Sequence, residues 1–100
     1  MIMEEFPEIT LSMDPKTEKA KSVIGYTPPL EEVGTRHKLG GVPDFIQDED
    51  WPKCPNCRDK MSFYGQLDSV GSNMTIADCG MIYVFLCFDC YETKAIVQSY

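Results

Sequence analysis

Two Cys-x-x-Cys pairs, Cys54/Cys57 in "KCPNCRDK" and Cys87/Cys90 in "LCFDCYET", constrain this 100-residue chain more than any other feature. One such turn presents two thiols from a single tight loop. Two turns supply four, the number that closes a tetrahedral Zn²⁺ site. A chain of this length buries a modest share of its surface, so a metal tie adds stability that the core alone lacks. The pairs are separated by 29 residues, against the roughly 15–20 of a common ribbon spacing, and a loop at 69–80 accounts for the excess. The expectation is one structural Zn²⁺ held by Cys54, Cys57, Cys87 and Cys90.

Two other readings of the pairs are weaker. A redox dithiol needs a nucleophilic thiolate at a helix start in a βαβ setting, whereas Cys54 precedes a strand and the pair is duplicated. A disulfide framework needs an oxidising compartment. The N-terminus "MIMEEFPEIT" has neither a basic n-region nor a long apolar stretch, so a reducing, cytoplasmic setting is expected. No run of 18 apolar residues marks a membrane span. Cys79, the fifth cysteine, reads as a buried free thiol. His37, the single histidine, reads as a surface or packing residue, with no carboxylate or nucleophile placed beside it.

Three strands are legible around the cysteines. In "KMSFYGQLD" (60–68), Met61, Phe63 and Leu67 alternate with Ser62, Tyr64, Gln66 and Asp68, the period of a half-buried strand. "MIYVFLCF" (81–88) is apolar throughout and reads as a central strand covered on both faces. "TKAIVQSY" (93–100) alternates again and pairs with it. The N-terminal half is less regular. "EITLSM" (8–13) allows a short strand, Asp14-Pro15 a helix start ending at Gly25, and "LGGVPDFIQ" a turn docked through Phe45 and Ile46. The expected fold is therefore small α+β: a zinc-ribbon-like antiparallel sheet of about three strands with a mostly irregular N-terminal half. It forms a single domain over 1–100, with 1–35 as a covering segment and 36–100 as the core.

The chain carries a net charge of −7, unevenly spread. Residues 1–50 hold eleven acids against five Lys and Arg, and residues 51–100 hold five against four. Without a basic footprint the chain does not suit a phosphate backbone, so no nucleic-acid partner is expected. An acidic surface suits a basic protein partner. Four thiolates would leave no open coordination position, and no phosphate loop or nucleophile elbow occurs, so an enzyme is not expected.

Taken in order, "HKLGGVPDFIQ", "CPNC", "MSFYGQLDS", "GMIYVFLCFDC" and "IVQSY" resemble the YwqG-like family. They are also similar to the N-terminal region of programmed cell death protein two and its relatives, over about residues 36–100. The resemblance implies a binding module. YwqG-like members occur beside secreted polymorphic-toxin genes as candidate immunity proteins, and the second group accompanies a ribosomal protein in the cytosol. On that basis the chain is expected to bind and neutralise a cognate toxin, such as an ADP-ribosyltransferase or a nuclease. Glu31, Glu32, Asp48, Glu49 and Asp50 are its candidate contact charges, and Phe45 or Trp51 a candidate anchor if Trp51 is not packed against the knuckle. An adaptor or chaperone for a basic client is the alternative.

Overall fold

Among the described residues, five antiparallel strands in sequential order build a single sheet: β1 (Ile9–Thr10), β2 (Lys38–Leu39), β3 (Ser62–Asp68), β4 (Met81–Leu86) and β5 (Thr93–Gln98). A short helix, α1 (Glu18–Ile24), lies between β1 and β2. The computed structural model describes residues 7–24, 35–70, 75–77 and 79–100. The three long strands stand where the sequence placed them, but the expectation of about three strands is corrected to five. The N-terminal half is less irregular than expected, since it contributes β1, α1 and β2. β1 and β2 are two residues each, too short to show periodicity, and they exist because β3 offers them an edge. Lys38 pairs with Gln66, Leu39 with Gly65, and β1 then pairs with β2.

α1 begins three residues after Asp14-Pro15. Thr17 is its cap, with Oγ1 accepting the Ala20 amide at 3.1 Å. Gly25, expected to end it, lies outside the described residues. The helix is mostly exposed and packs on none of the strands. Among the described residues, the cover of the sheet comes instead from the segment 43–51, on one face.

That inner face holds the core. Phe63, Met81, Tyr83 and Phe85 are buried there with Met61, Cys54 and Cys87, and Phe45, Ile46, Trp51 and Ile96 pack against them. The alternation expected in β3 does not survive its middle. A bulge between Phe63 and Gly65 inserts Tyr64, so the strand changes face. Leu67 turns outward and is 49% exposed, while Gln66 and Asp68 turn inward and are buried. Gly65 is needed at this bend: a Cβ there would lie 2.8 Å from the Lys38 carbonyl oxygen.

The inward turn of Gln66 and Asp68 creates a buried polar end to the sheet. Gln66 donates to the Arg36 carbonyl (2.8 Å) and to the Asp44 carboxylate (2.9 Å), and accepts the Asp44 amide (3.0 Å). Gln98 accepts the Gln47 amide (3.0 Å) and donates to the Asp48 carbonyl (2.7 Å). Tyr83 Oη donates to the Asp44 carbonyl at 2.8 Å. Three side chains of the sheet thus pin the backbone of 44–48, satisfying groups that burial would otherwise penalise. Gly40 and Gly41 deliver the chain to this segment at φ +68° and +72°, the left-handed region that glycine enters freely.

His37 belongs to the same end. It is buried, and Nδ1 accepts the Asp68 amide at 3.0 Å, closing the ladder where β2 stops. Burial lowers its pKa below 6.5; Arg36 adds to the shift and Asp68 opposes it. The unfolded chain therefore binds this proton more readily. The His37 contribution to stability is complete above pH 6.5 and is lost as pH falls from there through the folded-state value. Urea midpoints of the metal-loaded protein between about pH 7.5 and 5 are expected to fall less steeply in H37Q than in the parent chain.

Candidate metal centre

Each cysteine pair caps a hairpin, and the two hairpins repeat one hydrogen-bond pattern. The Cys54 amide donates to the Asp59 carbonyl (2.8 Å) and the Arg58 amide to the Cys54 carbonyl (2.7 Å). The Cys87 amide donates to the Glu92 carbonyl (2.9 Å) and the Tyr91 amide to the Cys87 carbonyl (2.7 Å), at identical spacings. Below each tip a strand pair closes the hairpin, Lys53 with Lys60 and Leu86 with Thr93. The residue after each second cysteine is left-handed, Arg58 at φ 65° and Tyr91 at φ 64°. A bulky aromatic in that region is uncommon, and the shared turn geometry imposes it.

The two tips converge at one end of the sheet. Cys54 Sγ lies 3.5 Å from Cys90 Sγ, Cys57 Sγ lies 3.8 Å from Cys87 Sγ, and all four sulfurs fall within 4.8 Å of one another. A tetrahedron with metal–sulfur bonds of about 2.3 Å has edges of about 3.8 Å. The sulfurs are therefore placed for one metal ion and too far apart for a disulfide, whose S–S length is about 2.05 Å. All five cysteines are free thiols. The Cys57 amide also points at Cys54 Sγ (3.4 Å), a contact that favours the thiolate. Hydrogen bonds with Cys87 and then Cys90 push the Cys57 thiol up to about 12, so without a metal Cys57 keeps its proton at neutral pH. Metal entry must release protons, and affinity falls as pH falls.

Burial of the ligands is graded. Cys54 and Cys87 are in the core, Cys57 is half-buried and Cys90 is exposed. One side chain screens Cys90: Asn56, from the opposite hairpin, approaches Cys90 Sγ at 3.7 Å and Glu92 Oε1 at 3.4 Å. Asn56→Ala is expected to speed metal transfer to a chromophoric chelator by about tenfold while leaving the fold intact. Nothing local to Asn56 in the sequence marks this role, since the hairpin that it reaches is distant along the chain.

Trp51 packs against the knuckle. Its indole Nε1 donates to the Met61 carbonyl, its ring meets Phe85 edge-on at 5.6 Å, and Lys60 Nζ sits 4.3 Å above it. Phe45 packs on Tyr83 at 5.3 Å, so both aromatics serve the core rather than projecting as anchors. Cys79 is half-buried and outside the cluster, and its carbonyl accepts from Arg36 Nη2 at 3.1 Å. Asp48, Glu49 and Asp50 are exposed at and just after the end of the pinned segment, and their carboxylates have no ion pair among the described residues. Glu31 and Glu32 lie outside the described residues. No helix among the described residues is long and apolar enough to cross a membrane.

Fold and site together define a small antiparallel-sheet module closed at one end by four cysteines placed so that they could hold one metal ion. The chain is 38% identical over 65 residues to the uncharacterized protein YpfL of Salmonella typhimurium (strain LT2), a match covering 65% of this chain. The chain spans about 15% of the length of that curated relative. No family model matches the chain, and no solved structure matches it at a significant level.

Proposed function

We propose that the chain is a zinc-stabilised, non-catalytic cytoplasmic binding module that neutralises a basic toxin domain by covering its active site. Four soft thiolates in a tetrahedral arrangement favour Zn²⁺, and such a site has no open position for chemistry. The observation that carries the reading is the acidic loop. Asp48 stands exposed at the end of a backbone held over 44–48 by Gln66, Gln98 and Tyr83, and Glu49 and Asp50 stand exposed between it and the docked Trp51. A charged loop fixed before binding steers a basic cleft towards it and loses little entropy on contact. The resemblance to toxin-associated immunity proteins supports the same reading.

Co-expression with the toxin encoded by the adjacent gene is the test. The parent chain should rescue growth and co-purify with the toxin, and the triple variant D48K/E49K/D50K should do neither while retaining one Zn²⁺ per chain. Failure of the parent chain to bind or rescue removes the immunity reading. Capture of a basic housekeeping protein in place of the toxin points to the adaptor role.

A further inference from the structure

The four cluster sulfurs differ in what can reach them. Cys54 and Cys87 are 1% and 5% exposed and Cys57 is half-buried, whereas Cys90 is exposed between Asp89 and Tyr91, which are exposed as well. Asn56 approaches Cys90 Sγ at 3.7 Å and is itself exposed, so it hinders one direction of approach. Behind Cys90, at 3.5 Å, stands the buried sulfur of Cys54 on the other hairpin. Metal binding keeps both as thiolates, the form that an oxidant attacks. One reachable thiolate with a second in contact behind it is how an oxidisable cysteine and its resolving partner are arranged.

We propose that Cys90 is an oxidation site for hydroperoxides, and that Cys54 resolves it into a disulfide that empties the metal site. The proposal rests on the zinc reading of the cluster and is independent of the toxin reading. The Cys90 thiolate attacks one oxygen of hydrogen peroxide: an S–O bond forms, the O–O bond breaks and hydroxide leaves. Sulfur gives up two electrons and becomes a sulfenic acid. The Cys54 thiolate then attacks the Cys90 sulfur: the S–S bond forms, the S–O bond breaks and a second hydroxide leaves. Two thiolates and one peroxide thus give one disulfide and two hydroxides. The sulfurs need to close by only about 1.5 Å to reach the disulfide length of about 2.05 Å. Cys57 and Cys87 are then too few to hold a tetrahedral ion, and the metal is released. The new bond joins the same two hairpin tips. A dithiol reductant takes up the disulfide and restores four ligands.

Hydrogen peroxide added to the zinc-loaded full chain, with a chromophoric Zn²⁺ indicator present, tests the proposal. In a brief exposure, a sulfenic-acid trap is expected to mark Cys90 at least ~10-fold ahead of Cys54, Cys57 and Cys87. Without the trap, peptide mapping should show Cys54 linked to Cys90, with one Zn²⁺ released per link and taken up again after reduction. C90S is expected to slow peroxide-driven release at least ~10-fold. Should C90S fail to hold metal, the trap and the map on the parent chain decide alone. Trapping first at Cys57 overturns the proposal, as does a main link within one hairpin or between two chains. So does Zn²⁺ that stays bound under peroxide sufficient to oxidise free cysteine. A chain that binds no Zn²⁺ before oxidant is added removes the zinc reading as well, whereas a loaded chain indifferent to peroxide removes this proposal alone.

Discussion

Cys87→Ser is expected to abolish the cooperative fold rather than soften one corner of it. Cys87 sits at the end of β4, the strand whose Met81, Tyr83 and Phe85 form the core, and its own sulfur is part of that core. The described core has seven buried hydrophobic residues, two of them metal-cluster cysteines, so little apolar burial remains once the hairpin tips separate. Structural Zn²⁺ contributes about 10–16 kcal/mol in zinc-finger peptides at neutral pH, as much as the whole stability of about 5–15 kcal/mol typical of a domain. Chelation should have the same effect as the substitution. In ¹H–¹⁵N spectra the dispersed amide signals of β3, β4 and β5 should collapse on adding a chelator and return with one equivalent of Zn²⁺. Cys79→Ser should leave both spectrum and metal content unchanged. A metal-free chain that keeps its dispersion would show that the core folds without the cluster.

The cluster and the three long strands were legible because their signals are local. A Cys-x-x-Cys spacing dictates its own turn, and six or seven residues suffice to display a period of two. What escaped depends on contacts far apart in sequence. The bulge at Tyr64 is not encoded by alternation, and it reverses the face of Gln66, Leu67 and Asp68. A period-two reading therefore placed Leu67 inside and two polar residues outside. β2 is two residues long and is recognisable only through the β3 edge that receives it. The buried role of His37 follows from a bond to Asp68, 31 residues away. The continuous apolar run of β4 reads as a strand covered on both faces, whereas within the described residues only one face receives cover.

Arg36→Met is expected to cost about 3–5 kcal/mol, because it strands a buried charge. The Asp68 side chain is wholly buried and that of Arg36 is 13% exposed. Arg36 holds both carboxylate oxygens, Nη2 to Oδ1 at 2.6 Å and Nε to Oδ2 at 2.9 Å, and its backbone amide reaches Oδ2 at 3.1 Å. The Asp68 hydrogen bond raises the Arg36 pKa against the opposing pull of burial, so the guanidinium is charged at any working pH. The neighbouring Lys38 follows the same rule: burial pulls its pKa down, but the hydrogen bonds that it donates to Glu8 and Asp44 outweigh it. Urea unfolding of metal-loaded R36M should show the loss as a lower midpoint with an unchanged slope. The double variant R36M/D68L should recover part of it, because no buried charge is left without its counter-ion although the Arg36 amide loses its acceptor. The cycle separates two meanings of the pair. Recovery identifies the cost as that of an orphaned Asp68. If R36M alone costs less than about 1 kcal/mol, as exposed pairs do, Asp68 is reached by solvent and the polar end of the sheet is open.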